Sequence, residues 1–110
     1  MDWQAARDST IEYWRRVRAS LETEEEVELL RRINAVNDLC EKAKEQSQGE
    51  LDRCRFCLAH QQFGGCLGIS LQMSECVVEG RRDDLHALVD QFLSQLEEMI
   101  IPDDPDGSSP

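Results

Sequence analysis

Residues 83–100, DDLHALVDQFLSQLEEMI, carry the clearest pattern in the chain and decide its fold class. Apolar side chains recur there at steps of three and four residues, the spacing that places them on one face of an α-helix. The stripe consists of Leu85, Leu88, Val89, Phe92, Leu96 and Met99 or Ile100. We expect Asp83 or Asp84 to cap this helix and Pro102 to stop it. Such an amphipathic helix needs a core to pack against.

The segment before this helix has two possible structures. Residues 67–73 alternate apolar and polar side chains, which is typical of a short strand. No other segment of the chain looks like a partner strand, and a lone strand leaves its backbone groups unpaired. We therefore predict a helix over residues 66–79, ended by Gly80 as a C-terminal cap. That helix would place on one face Leu67, Leu71, Ser74 and Val78.

A first helix is predicted over residues 2–20. Its apolar face consists of Trp3, Ala6, Thr10, Tyr13 or Trp14, Val17 and Leu21. Arginines near its end complement the negative pole of the helix dipole.

The second helix is predicted to begin at Thr23, with Glu26 completing a capping box. A seam with alternating four- and three-residue steps follows, as in coiled-coil pairing. Its members are Leu29, Ile33, Val36, Cys40 and Ala43. Gly49 weakens a helix by about 1 kcal/mol relative to alanine, but residues 44–50 contain no proline. We predict one long, kinked helix to about His60; the alternative is an end near Gln48.

These elements predict an all-α fold, a four-helix antiparallel bundle or helical hairpins with a cysteine-rich turn and a long second helix. Residues 1–101 would form a single helical domain, and residues 102–110 a disordered acidic tail. A second helix to His60 would be about 55 Å long. Its neighbours are too short to cover that length, so we predict a homodimer.

Composition narrows the possible partners and compartments. The net charge of −11 argues against nucleic acid as a partner, because phosphate binding needs a basic surface. No apolar run approaches the roughly 18 residues of a transmembrane helix, and the N-terminus lacks the features of a signal peptide. We expect a cytoplasmic protein whose thiols stay reduced, and its five cysteines, an odd number, agree with that.

Residues 54–66, CRFCLAHQQFGGC, contain three of the five cysteines and one of the two histidines. Zinc binds four nitrogen or sulfur ligands in a tetrahedron. Cys54 and Cys57 would be neighbours on one helix face, and the Gly64–Gly65 pair would let the chain return Cys66 toward them. With His60 as the fourth ligand, the spacing predicts a zinc site.

A different set of ligands is also possible. Antiparallel pairing about the glycine turn would bring Cys76 roughly opposite residues 52–54. Cys54, Cys57 and Cys76 would then meet inside the bundle, leaving Cys66 at the turn. We expect Cys40 to be a structural core residue and His86 to be a surface or interface residue.

Two other interpretations of the cysteines stay open. The Cys54–Cys57 spacing also suits a dithiol redox pair or an iron–sulfur cluster, and Arg53 and Arg55 would lower thiol pKa values there. The cysteines are alternatively ordinary core residues of a metal-free helical adaptor. No nucleophile–base–orienter set accompanies the cluster, so we expect the protein to bind or regulate a protein partner and not to be an enzyme.

Overall fold

The computed structural model describes residues 2–47, 57–64 and 67–101. Within these ranges the chain forms six helices and no strand, which confirms the all-α class. The helices are α1 (Trp3–Ala19), α2 (Glu26–Ile33), α3 (Asp38–Ser47), α4 (Leu58–Phe63), α5 (Leu67–Glu79) and α6 (Arg82–Glu98). None of these helices is long and apolar enough to cross a membrane. The predicted tail, residues 102–110, lies outside the described ranges.

The predicted first helix is confirmed in α1. Asp2 caps it, since the Asp2 carboxylate accepts a hydrogen bond from the Ala5 N–H at 2.7 Å. Its buried side chains are Ala6, Thr10, Ile11, Trp14 and Val17. Of the two aromatic alternatives, Trp14 enters the core. Tyr13 is partly buried, and its hydroxyl donates to the Arg32 carbonyl of α2 at 2.7 Å.

The long second helix is wrong, because α2 ends at Ile33. The Asn34 side chain donates to the Leu30 carbonyl at 2.7 Å, and the Asn37 side chain accepts from the Cys40 N–H at 3.0 Å. The Asn34 side chain therefore bonds to the backbone at the end of α2, and the Asn37 side chain bonds to the backbone at the start of α3. Asparagine side chains compete in this way with the regular helix hydrogen bonds. The expected weak point, Gly49, lies outside the described residues.

The break changes which seam residues reach the core. Leu29 and Ile33 are buried as predicted, but Val36 is 57% exposed and Cys40 only partly buried. Helix α3 is a separate helix, so the face that it turns toward the core is not set by the seam of α2. Leu39 is buried in place of Cys40, and Ala43 is buried as predicted.

The predicted helix caps at two N-termini are also wrong. Thr23 belongs to the turn that closes α1, where its hydroxyl donates to the Ser20 carbonyl at 3.4 Å. Helix α2 begins at Glu26, and Glu25 occupies the N-cap without a side-chain hydrogen bond. The acidic pair Asp83–Asp84 likewise lies in the first turn of α6 and not at its cap, where the carboxylates complement the positive helix pole.

The α5–α6 hairpin turns at Gly80, as predicted. Gly80 has a φ of 74°, a conformation that glycine adopts without the steric cost other residues meet. The Arg81 N–H bonds the Cys76 carbonyl at 2.8 Å and the Gly80 N–H bonds the Val77 carbonyl at 3.2 Å. These two bonds form a Schellman cap that ends α5.

The inward face of α5 differs from the predicted one. Its core side chains are Ile69, Met73, Cys76 and Val77. Leu71 and Val78, which were predicted to share one face of this helix, are 59% and 63% exposed. Helix α5 carries apolar residues on both sides, so its sequence does not determine which side packs inward.

The core is built on the pair α1 and α6, which α2, α3 and α5 pack against or extend. Helices α1 and α6 run antiparallel, with Arg7 donating to the Met99 carbonyl at 3.2 Å and Arg82 donating to the Leu21 carbonyl at 2.7 Å. The Phe92 ring at the centre packs edge-to-face against Trp14 at 5.2 Å between ring centroids. The predicted stripe of α6 is confirmed, with Met99 buried and Ile100 74% exposed.

Candidate metal centre

The sequence of the cysteine-rich segment, residues 54–66, includes α4. Cys57 immediately precedes this helix, and His60 lies within it. Cys54 and Cys66, the other two predicted ligands, lie outside the described residues. Of the four predicted zinc ligands, the structure therefore describes Cys57 and His60.

Cys57 occupies the N-cap position of α4. Its backbone is extended, and its carbonyl accepts the first bond of the helix from the Gln61 N–H at 3.0 Å. Its side chain is 8% exposed and belongs to the hydrophobic core. Leu58 and Ala59, which follow it, are also buried. The start of α4 is therefore anchored by apolar packing.

His60 is exposed on the outer side of α4. One turn later α4 ends at Gly64, which has a φ of 88° and whose N–H bonds the His60 carbonyl at 3.1 Å. The sequence predicted that the glycine pair ends the preceding helix, and Gly64, the first glycine of the pair, confirms this. The structure buries the Cys57 side chain in the core and exposes the His60 side chain to solvent.

Among the described residues, no three or more His, Cys, Asp and Glu side chains are grouped so that they could hold a metal ion. For the alternative set, Cys57 and Cys76 are both buried members of the core, and Cys54 lies outside the described ranges.

The other cysteines and histidine occupy different surroundings. Cys40 is only partly buried on α3, and its neighbour Leu39 occupies the core position that was predicted for it. His86 is partly exposed on α6 and lies 2.6 Å from a Glu22 carboxylate oxygen. It thereby links α6 to the connection between α1 and α2, a contact that sequence spacing does not reveal.

A surface cleft of about 410 Å³ lies between α5 and α6, with Cys76 and Arg81 among its lining residues. The Arg81 guanidinium pairs with Glu79 at 3.1 Å and Asp84 at 3.0 Å. Hydrogen bonds to these two carboxylates raise the pKa of Arg81. Since its charge is already matched, the cleft is a poor site for an anion.

Comparisons of the chain with protein-family models, with curated proteins and with solved structures gave no match.

Proposed function

We propose that this protein is a small helical protein-binding module in which a zinc ion fastens the segment between α3 and α5. The ligands would be Cys54, Cys57, His60 and Cys66. The observation that supports the proposal is the density of soft ligands around α4, a helix of only six residues. Isolated helices shorter than about 12 residues are marginal in water, so a helix this short depends on packing or on a bound ligand.

Apolar packing anchors only one side of α4. Leu58 and Ala59 are buried and Phe63 is partly buried against the core, whereas His60 and Gln61 face outward. A metal bound at the core boundary would take a thiolate from Cys57 and an imidazole from the outer side. Structural zinc contributes about 10–16 kcal/mol of apparent binding free energy in small domains, which is ample to order this segment.

The proposal assigns the site a structural or regulatory role in binding and no catalytic role. It also places the protein in a reducing compartment, the cytoplasm, because zinc thiolates need reduced cysteines. The predicted homodimer loses its original argument, since α2 ends at Ile33 and leaves no 55 Å seam to cover.

Elemental analysis of protein purified without chelator tests the metal. We expect about one equivalent of zinc, lost when Cys54 and Cys57 are both replaced by serine and retained in Cys40→Ala, the matched control on α3. Less than about a tenth of an equivalent of zinc or iron would refute the proposal. Iron accompanied by visible absorbance would support the iron–sulfur alternative instead. Cys76→Ala and His60→Ala, measured separately, distinguish the two ligand sets.

A metal-free adaptor is the second candidate, and the burial of Cys57 and Cys76 in one hydrophobic core favours it. Under this alternative, Cys57→Ala lowers the free energy of unfolding by about 1 kcal/mol, as for a small cavity. The melting temperature of the unaltered protein would also be insensitive to chelator. A chelator-induced fall in that temperature would exclude the adaptor.

A further inference from the structure

The outer side of α2 and α5 carries apolar side chains that the fold leaves exposed. Leu71 and Val78 on α5 are 59% and 63% exposed, and Val27 on α2 is 77% exposed. Leu71 and Val78 are two helical turns apart and lie on one side of α5. Because α5 also buries an apolar face, it is apolar on opposite sides, a property of helices that are covered all round.

A hydrogen bond joins the exposed sides of these two helices. The Asn34 side chain at the end of α2 donates to the Ser74 hydroxyl at 3.1 Å. Ser74 lies between Leu71 and Val78 on the same side of α5, and Asn34 lies two turns from Val27 on α2. These five residues therefore form one continuous surface, the α2–α5 face.

The two helices run antiparallel along this face. Arg82 donates to the Leu21 carbonyl at 2.7 Å, which places the end of α1 beside the start of α6. Helix α2 follows α1 closely, so it starts near the end of α5 and reaches Ser74 at its own end. Val27 thus lies toward the Val78 end, and the two helices present a shallow apolar surface along which one further helix can lie.

Charges around the face indicate the character of its partner. Glu26 adjoins Val27, and Glu75 lies between Leu71 and Val78 in sequence; both glutamates are exposed. Two nearby cations are already paired: Arg31 with Glu28 at 2.5 Å, and Arg81, which lines a cleft together with Glu75, with Glu79 and Asp84. A second copy of this chain would bring two molecules of net charge −11 together, whereas a cationic partner is attracted by the same field.

We propose that the α2–α5 face binds an amphipathic helix of a partner protein, with an apolar stripe flanked by lysine and arginine. This inference rests on the protein-binding part of the proposed function and does not require the metal.

Fluorescence anisotropy with a labelled 18-residue helical peptide of leucine and lysine, its leucines at i, i+3, i+4 and i+7, tests this face. We expect the unaltered protein to bind this peptide and Leu71→Gln/Val78→Gln to weaken binding about ten-fold or more. Ile100→Gln is the matched control, because Ile100 is 74% exposed but lies beside Gln62 of α4. It should leave the affinity unchanged. Glu75→Gln should weaken binding and reduce its dependence on salt.

Three results would overturn the inference. The first is no binding to the unaltered protein. The second is an equal effect of Leu71→Gln/Val78→Gln and Ile100→Gln, or equal binding of a peptide with glutamate in place of lysine. The third is a light-scattering mass near twice 12.6 kDa that falls to the monomer value in Leu71→Gln/Val78→Gln, which would identify a second copy as the occupant.

Metal content measured on the same samples separates this inference from the metal site. If the protein contains one equivalent of zinc but does not bind the peptide, the proposed binding at the α2–α5 face is refuted and the metal site is not. Peptide binding that depends on Leu71 and Val78 in protein without metal refutes the metal site alone.

Discussion

Phe92 joins α4 to the rest of the core, and replacing it tests how the candidate site is held. The Phe92 side chain is 1% exposed. Its ring packs edge-to-face against Trp14 at 5.2 Å and against Phe63 at 6.2 Å between centroids. Phe92→Ala removes a fully buried ring, so we expect the free energy of unfolding to fall by about 3–5 kcal/mol. Each lost ring pair accounts for about 0.5–1.5 kcal/mol of that.

Phe63→Ala is the informative comparison, because Phe63 is only partly buried and touches the same ring. We expect it to cost less than the about 1.5–3 kcal/mol gained by fully burying a large apolar side chain, because its ring remains partly exposed. The double variant should cost less than the sum of the two by about 0.5–1.5 kcal/mol, the shared ring contact.

Urea denaturation followed by tryptophan fluorescence and far-UV circular dichroism measures these differences. Trp14 reports on the core because it contacts Phe92 directly. A loss below about 2 kcal/mol for Phe92→Ala would contradict its central position. Strict additivity of the two substitutions would contradict the packing of α4 against α6.

Three further predictions concern local features. Gly80→Ala should lower the free energy of unfolding by about 1–2 kcal/mol, because Gly80 has a φ of 74°; Gly68→Ala, in open space inside α5, should be neutral or slightly stabilising in the same urea titration. Asn37→Ala should cost about 1 kcal/mol, the value of an N-cap, measured by thermal unfolding. A hydrogen bond from Arg18 lowers the pKa of Asp90 below its ordinary 3.8. The Arg18–Asp90 ion pair therefore stabilises the fold at pH values above 3.8. This stabilisation is lost as the pH falls through the lowered pKa of Asp90. Arg18→Gln should return the pKa of Asp90 toward 3.8 by NMR titration and flatten the acid side of the stability curve; an unchanged pKa would exclude the pair.

Local signals predicted the parts of the fold that depend on few residues. The periodic stripes of α1 and α6 identified both helices and most of their buried side chains. Gly80 was predicted to end α5 because a left-handed cap needs a residue without a Cβ. Each of these features arises from neighbouring residues, so the sequence is sufficient to predict it.

The end of α2 shows where periodicity misleads. Leu29, Ile33, Val36, Cys40 and Ala43 continue an unbroken seam in the sequence. Asn34 and Asn37 nevertheless divide it, because each side chain bonds to backbone at a helix end. Asparagine favours caps and turns, but inside a helix it costs at most about 0.7 kcal/mol relative to alanine, so its presence alone does not predict a break. The hydrogen bond from Asn34 to Ser74 of α5 also depends on the tertiary structure.

The candidate site also combines a prediction from the sequence with features that only the structure shows. The clustering of thiols and imidazole in residues 54–66 led to the prediction of a zinc site, since these are the ligands that zinc prefers. Only the tertiary structure decided that Cys57 packs in the core while His60 faces solvent, because burial depends on what lies across from α4.

The sequence by itself determined the helical class, the helices α1 and α6 and the turn at Gly80, because each follows from local spacing and backbone sterics. The tertiary structure alone decided which side of α5 faces inward. Met73 and Leu71 are both apolar, but Met73 is 0% and Leu71 59% exposed. An amphipathic helix can form with either side inward. The choice depends on packing against α6, the next helix, and against α2, which is 40 residues away in sequence at the Asn34–Ser74 contact.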